Sequence, residues 1–501
     1  MKLISGLVFG LAVAGVLSVE IAGADSPNSK VKNSTPNSAT SITAGETGSP
    51  YDFTKHINWV RPETKVYTLH DNVLPSKPKE KAKDSSSVAS SALQRFVLPN
   101  KCRLLVQEIP YDDVVAIELL VKCGAFQEES NLAGYTDFLL ELLLNRVVFG
   151  ENGEDEAEIT GSVIDAGTTP DLARLSIVTS SEFSQHWLER LCAALSNPVF
   201  SPAEVDKVRS KLLLVLAEQG GNYRQMYEIF LSLFYRYHPY KRSGLGSKLV
   251  VENATPESLS EFFNNHFSAD KVVLSVSGKL KGAGVLRSVE QRLTLPEYHP
   301  ETVIATQWDA QAQEQETYLS SSANMAMVMV GYAAPPMYSS DYAAMRCATS
   351  ALGSGLSSRL WLELREKRGL AYELSGRYPE LSGPSHFMCY AVCNATSVGE
   401  VRRRIKSEVE NFREHGITSQ ELEDTRNMLI GDFLLKRETN AGKAMHAGMA
   451  ELLGPGYGAD ANELADLRRV SVADVNRVAR KYFRDPCVLV ARPGGRMYFD
   501  W

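Results

Sequence analysis

The chain has 501 residues, of which 44% are hydrophobic and 23% charged, a composition typical of globular proteins. Its length predicts about two to four domains, which excludes a peptide hormone or a disulfide-stabilised miniprotein. The 53 basic and 60 acidic side chains give a net charge of -7, and no long basic run supplies the electrostatic footprint of nucleic-acid binding.

Residues 1–24 have the pattern of a secretory signal. Lys2 precedes the apolar run 3–17, and Ala22-Gly23-Ala24 fits the small-x-small rule for cleavage. Because the run is shorter than the roughly 20 residues that span a bilayer, we expect cleavage and no stable membrane span in the mature protein. An uncleaved anchor is the alternative. The expected location is a bacterial periplasm or the extracellular space.

Two further segments have the composition of linkers. Residues 25–94 are rich in Ser, Thr, Pro, Asn and Lys, and such a segment buries too little apolar surface to fold completely. Residues 294–315 are rich in Pro, Gln and Glu. We therefore predict an N-terminal domain over 95–293, a linker over 294–315 and a C-terminal domain over 316–501.

Within the N-terminal domain, strands and helices alternate without a strict βαβ order. Two β-rich runs, 103–109 and 114–121, flank a turn and predict a hairpin. The later periodic segments predict helices over 134–148, 154–164, 183–195, 202–219, 223–236 and 256–265, and strands over 172–179 and 272–277. This order favours an α+β sandwich with helices layered on a mostly antiparallel sheet.

The seven cysteines are too few for a disulfide scaffold. The predicted hairpin would bring Cys102 and Cys123 together, so a disulfide is plausible in an oxidising compartment. Two buried reduced thiols are the open alternative. Cys389 and Cys393 lie four residues apart in a predicted strand, which is too far for a disulfide.

The two sides of the linker resemble each other. Ser201 and Arg209, with the pattern between them, recur as Thr418 and Arg426, at an offset of 217 residues. A second pattern, which begins at Thr255, recurs from Ser471 at an offset of 216. Nearly equal offsets indicate the duplication of a domain of about 200 residues.

Four runs carry a resemblance to a known family. In the first half they are 121–125, Val-Lys-Cys-Gly-Ala, and 132–141, Leu-Ala-Gly-Tyr-Thr-Asp-Phe-Leu-Leu-Glu; in the second they are 352–360, Leu-Gly-Ser-Gly-Leu-Ser-Ser-Arg-Leu, and 364–372, Leu-Arg-Glu-Lys-Arg-Gly-Leu-Ala-Tyr. They resemble the insulinase/pitrilysin-like zinc metallopeptidases, a family that includes the mitochondrial processing peptidases and the bc1 core subunits. The resemblance covers roughly residues 95–497 and implies two homologous α/β sandwich domains that face a central cavity.

The zinc motif of this family is degenerate here. Family peptidases carry H-x-x-E-H on a helix, in which two histidines hold zinc and the glutamate activates its water. The resemblance places these positions at Asp137, Leu140 and Glu141, and the third ligand, a glutamate, at Val215; Glu218 could substitute only in a different register. We therefore assign no catalytic residue, metal or cofactor to this chain, and expect the zinc in a partner chain.

Asp137, Glu141 and Asn145 form a polar stripe on an otherwise apolar predicted helix. A solvated stripe is the favoured interpretation. The alternatives are a residual site for a hard cation and a contact with a partner or a bound peptide.

The second half keeps its family motif. The resemblance implies that Arg365 and Tyr372, seven residues apart, bind the backbone of a substrate at the scissile bond, where such donors stabilise an oxyanion. Gly353 and Gly355 match the glycine-rich loop, which approaches peptide closely. The alternative is that all four residues have only structural roles.

One further region differs from the family, and another matches it. Between residues 167 and 172 the chain is shorter than active members, whose edge strand pairs with substrate. Asp165, Thr168 and Thr169 lie there without a clear role. His238-Pro239 matches a family His-Pro, which we interpret as structural.

The first functional hypothesis is the non-zinc subunit of a heteromeric periplasmic zinc endopeptidase. It would form a heterodimer with a homologous zinc-motif subunit and contribute Arg365 and Tyr372 to the binding of unfolded peptide. The second is a non-catalytic structural or peptide-binding protein like the bc1 core subunits. A self-sufficient hydrolase is least favoured, because the sequence has no G-x-S-x-G and no phosphate-binding glycine loop.

Overall fold

The computed structural model describes residues 92–494, except for 125, 151–152, 218–222, 237, 243–245, 298–314 and 322. The predicted signal, nearly all of the N-terminal segment and most of the predicted linker lie outside the described residues.

The first half is built on a six-stranded sheet in the order β1-β2-β6-β3-β5-β4. Its strands are β1 (Gln94–Val97), β2 (Arg103–Glu108), β3 (Val114–Val121), β4 (Val163–Thr168), β5 (Ala173–Ser180) and β6 (Val272–Gly278). Its helices are α1 (Tyr135–Val148), α2 (Glu156–Thr160), α3 (Ser184–Ser196), α4 (Pro202–Ala217), α5 (Tyr223–Tyr235), α6 (Lys248–Asn253), α7 (Pro256–His266) and α8 (Gly282–Arg292).

The second half is built on a five-stranded sheet in the order β7-β11-β8-β10-β9. Its strands are β7 (Gln315–Ser321), β8 (Ala326–Ala334), β9 (Ala371–Arg377), β10 (Ser385–Cys393) and β11 (Cys487–Pro493). Its helices are α9 (Tyr342–Gly353), α10 (Arg359–Trp361), α11 (Val398–His415), α12 (Ser419–Lys436), α13 (Asn440–Leu453), α14 (Ala459–Arg469) and α15 (Val472–Tyr482), and a π-helix (Leu362–Glu366) follows α10.

The two sheets share one topology. Strands β2, β6, β3, β5 and β4 have the same neighbours as β7, β11, β8, β10 and β9, and β1 is an addition in the first half. Among the strands that the structure describes, each sheet has one parallel pair, β2 with β6 in the first and β7 with β11 in the second. The predicted fold class, two duplicated sandwiches with mostly antiparallel sheets, is therefore confirmed.

Each sheet has helices of its own half on one face and a helix of the other half on the opposite face. Helix α13 from the second half packs on the first sheet, where Ala447 and Leu452 meet Leu120 and Val273. Helix α5 from the first half packs on the second sheet, where Phe230 meets Met388 and Leu489. Both faces of β3 are covered by helices, which explains why its sequence is almost entirely apolar.

The hairpin predicted over 103–121 is wrong. Strand β6 lies between the two runs, parallel to β2 and antiparallel to β3. Cys102 and Cys123 are consequently separated by a strand, and both are buried free thiols. Their burial as reduced thiols, the second alternative, is the arrangement in this structure. Cys389 and Cys393 lie on β10, as predicted, and are also free.

The prediction of a helix over 154–164 is too long, since α2 covers only Glu156–Thr160. Helix α2 ends at Thr160 because Gly161 adopts the left-handed conformation, with φ of 63°. The chain then enters β4, the edge strand of the sheet. The other helices and strands predicted for this half are confirmed within a few residues of their ends.

Over the described part of the chain, we find no helix with the length and hydropathy needed to cross a bilayer.

Candidate functional site

The helix that carries the degenerate zinc motif, α1, has its first turn fixed by a buried glutamate. Its N-cap, Gly134, has φ of 100° and no side chain to satisfy the first backbone N–H groups. The Glu128 carboxylate takes over that role by accepting hydrogen bonds from the N–H groups of Gly134 and Thr136, both at 2.8 Å. Burial raises the pKa of Glu128, and these two bonds oppose that shift.

Asp137, in the first turn of α1, faces the edge strand β4. It is half-buried and accepts a hydrogen bond from the Thr168 hydroxyl. Desolvation raises the pKa of Asp137 to about 7, with a further increase from the charge of Glu128, while the Thr168 bond and the charge of Arg224 oppose the shift. Asp137 therefore keeps its proton to a higher pH than an exposed aspartate does.

Glu141, one turn further along, pairs with a lysine of α4. Its Oε2 atom lies 2.6 Å from Nζ of Lys211, and only 13% of the Glu141 side chain is exposed. The Asn145 amide donates to the Glu141 backbone carbonyl at 2.7 Å. The polar stripe thus faces α4 and β4 and is not the solvated stripe that the sequence favoured.

These positions do not fit zinc. Leu140 and Val215 offer only hydrocarbon, Asp137 is bonded to Thr168, and Glu141 is neutralised by Lys211. A zinc site needs three protein ligands and favours imidazole or thiolate. Within the described ranges, no three His, Cys, Asp or Glu side chains come together as a metal site would require. Glu218 lies outside the described residues.

The residues around the shortened β4–β5 turn have structural contacts. Asp165 faces Arg174 at 3.8 Å, and Arg174 in turn holds the fully buried Glu118 by two bonds of 2.7 and 2.9 Å. The Thr169 hydroxyl accepts from the N–H group of Leu172 at 3.1 Å and so closes the turn. These contacts account for Asp165 and Thr169, just as the bond to Asp137 accounts for Thr168.

Arg365 and Tyr372 are brought together by a local reversal of the chain. Arg365 lies in the π-helix, whose wide turn is closed by the bond from Lys367 N–H to the Leu362 carbonyl at 3.0 Å. Gly369 then adopts φ of 61°, which a glycine tolerates without strain, and β9 starts two residues later. The turn brings the start of β9 back beside Arg365.

Both side chains are exposed, yet Arg365 is held in place. Its guanidinium donates to the Tyr372 carbonyl and stacks over the Trp361 ring, 4.6 Å from the centroid. Tyr372 is 61% exposed, and its hydroxyl accepts from the Asn394 amide at 3.5 Å. Because a guanidinium has five N–H groups, donors remain for a ligand.

The two glycines of the preceding loop differ in their surroundings. A Cβ on Gly353 would lie 2.7 Å from Cα of Gly376 on β9, so close backbone packing requires the glycine. Gly355 has φ of 79°, and a Cβ added there would meet only the Met428 sulfur, at 3.6 Å. Gly353 thus has a packing role, whereas the backbone at Gly355 is open.

The predicted residues form two separate sets. Asp137 and Glu141 contact Thr168 and Lys211, whereas Arg365 and Tyr372 contact Trp361 and Asn394. His238, buried, accepts from the N–H group of Tyr240 through Nδ1 at 3.1 Å and so caps a short 3-10 helix. Sequence reasoning missed Lys211, although it lies one helical turn before Val215 and on the same face of α4.

Two family models match the two halves of this chain. The family model described as Insulinase (Peptidase family M16) matches residues 103–248, and the one described as Peptidase M16 inactive domain matches 253–429. An uncharacterized zinc protease of Streptomyces coelicolor is 23% identical over 80% of this chain and 90% of its own length. The non-peptidase homolog YmxG of Helicobacter pylori is 24% identical over 64% of this chain and 76% of its own.

The fold has close matches among solved structures. The crystal structure of a protease from Helicobacter pylori matches 80% of this chain and all of its own length, with a TM-score of 0.74 and 19% identity. The duplicated sheets, the two matching family models and the altered positions on α1 lead to one conclusion: the chain belongs to the insulinase (M16) peptidase family and is a member with a degenerate zinc motif.

Proposed function

We propose that this chain is the non-zinc subunit of a heteromeric zinc endopeptidase and contributes Arg365 and Tyr372 to peptide binding. Its partner would be a homologous subunit with an intact zinc motif. The observation that carries the proposal is the contrast between the two halves. The first has lost its metal ligands, whereas the second presents an exposed, fixed arginine beside an exposed tyrosine.

The chemistry of the pair supports this role. A peptide carbonyl that becomes an oxyanion gains most from donors that are already oriented, because no reorganisation is then needed during the reaction. The stack on Trp361 and the bond to the Tyr372 carbonyl orient Arg365 in this way. The Tyr372 hydroxyl adds a second donor at the same surface.

The proposed location is the periplasm, or the outside of the cell. It rests on the signal pattern of residues 1–24. Such a location suits a peptidase subunit that acts on unfolded peptides.

The test is a reconstitution with a zinc-motif homologue from the same cell and an unfolded peptide substrate. We expect Arg365→Ala to lower kcat/KM by about 100-fold and Tyr372→Phe to lower it in the same direction, since removing one oxyanion donor costs about that much. Arg368→Ala and Tyr111→Phe are matched controls, because both side chains are exposed and lie outside the pair. Cleavage that requires this chain but is indifferent to Arg365→Ala and Tyr372→Phe would refute the assignment.

A structural or peptide-binding role without chemistry is the second candidate. It is favoured by the similarity to a Helicobacter pylori relative whose name describes it as a non-peptidase homolog. Co-purification with an assembly, together with no stimulation of any zinc-motif homologue, would support this candidate over the first.

A further inference from the structure

The link between α1 and α4 is an ion pair. Lys211 Nζ lies 2.6 Å from Glu141 Oε2, and the carboxylate side is largely buried. The same two helices carry the positions at which metal-binding family members are expected to place their ligands. A cation therefore joins α1 to α4 here as well, but it is an ammonium group of the chain itself.

We propose that Lys211 takes the structural place of the metal ion, supplying the positive charge that holds Glu141 and ties α1 to α4. This deepens the proposed non-zinc role and rests on it for the identity of the metal positions. Without Lys211, the largely buried Glu141 carboxylate would lose its charged partner, which is costly in a partly desolvated position.

The duplicated half indicates that the lysine is specific to this site. The position equivalent to Lys211, 217 residues later, is Met428. It is 40% exposed and lies against Gly355. Lys211→Met therefore introduces the side chain that the same helix carries in the second half, where α12 has no acid of α9 to hold.

A double-mutant cycle on the full chain tests the proposal by thermal melting. We expect Lys211→Met to lower Tm by ~2 °C or more, and Lys211→Met combined with Glu141→Gln to recover at least half of that loss. The matched control is Lys248→Met with Glu252→Gln, an exposed i, i+4 pair at 3.6 Å. We expect little coupling there, as for other exposed ion pairs.

The second arm restores the positive charge with a different side chain. Lys211→Arg, which keeps a cation opposite Glu141, should retain most of the Tm that Lys211→Met loses. Coupling no larger than that of the control pair, or a Tm of Lys211→Arg as low as that of Lys211→Met, would overturn the proposal. Neither arm uses a partner chain or peptidase activity, so a failure here is distinguishable from a failure of the proposed function.

Discussion

At the scale of single residues, His386 shows how burial fixes a protonation state. Its ring lies under α5, with Nδ1 2.8 Å from the Tyr235 hydroxyl and Nε2 3.1 Å from the Tyr227 hydroxyl. The Tyr235 hydroxyl also lies 3.1 Å from the Pro384 carbonyl. Each ring nitrogen of His386 thus has a tyrosine hydroxyl as its partner. Burial lowers the pKa of His386 from 6.5 to about 3, so the folded chain holds it as a neutral imidazole near neutral pH.

This lowered pKa predicts a loss of stability in mild acid. Below pH 6.5 the unfolded chain binds a proton at His386 that the folded chain refuses until about pH 3, so stability falls as pH drops through that window. We expect His386→Gln to reduce the slope of unfolding free energy against pH by up to ~1.4 kcal/mol per pH unit. The measurement is urea unfolding between about pH 7 and about pH 5.

The exposed His415 supplies the control. His415→Gln should leave the slope unchanged. An identical slope in His386→Gln and the wild type would show that His386 does not cause the pH dependence.

The residues of the candidate site were predictable to different degrees. The spacing of Arg365 and Tyr372 is local, so the sequence motif that carries them also identifies them as neighbours. Lys211 and Thr168 reach α1 from elements 70 and 31 residues away. No local pattern reports such contacts, because they depend on how the helices and the edge strand pack.

At the scale of elements, the duplication is visible in how equivalent helices begin. Ser201 and Glu204 bond each other at the start of α4, and Thr418 and Glu421 form a capping box at the start of α12. In both halves an arginine then holds the capping glutamate by two bonds; Arg146 does so for Glu204 and Arg359 for Glu421. These caps explain why the sequence match was detectable, since a helix start constrains residue types at fixed spacing.

Removal of one cap should cost a modest, measurable amount. We expect Thr418→Ala to lower the unfolding free energy by about 1 kcal/mol, because the backbone N–H of Glu421 loses its acceptor. Glu423→Ala, at an exposed position just after the first turn of the same helix, is the control. Equal unfolding curves for the two variants in urea would contradict the capping role.

The wrongly predicted elements have a common physical cause. The two runs over 103–121 look like a hairpin because they are adjacent, β-rich and joined by a turn. They are separated by β6, which begins about 150 residues later and inserts between them. The gain from a buried central strand is not encoded near the turn, so local signals cannot reveal it.

At the scale of the whole molecule, each half completes the other. Gly331 on β8 lets the Phe230 ring of α5 approach the second sheet, since a Cβ there would lie 2.2 Å from the ring. Gly448 on α13 likewise lets that helix approach Leu120 of the first sheet. The buried Asp171 accepts from the Tyr240 hydroxyl at 2.6 Å and from the Ser382 N–H at 2.8 Å. These contacts join the two halves through both backbone packing and buried hydrogen bonds.

Because α5 of the first half packs on the sheet of the second half, a substitution in α5 should destabilise strands of the second half. Phe230→Ala should destabilise by about 3–5 kcal/mol and raise amide hydrogen exchange in β10 and β11, which belong to the other half of the sequence. Leu214→Ala, at an exposed apolar position of α4 that is 67% accessible, is the control. Faster exchange confined to the first half in Phe230→Ala would show that the halves unfold independently.

The proposed function requires that this chain have no zinc site of its own and that it complete the site of a partner. The most direct measurement is the zinc content and peptidase activity of the purified chain, alone and with a zinc-motif homologue. We expect the chain alone to hold no stoichiometric zinc and to cleave nothing, and the pair to hold one zinc and to lose activity on Arg365→Ala. A lone chain that binds one zinc and cleaves peptide in a chelator-sensitive manner would contradict the proposed function.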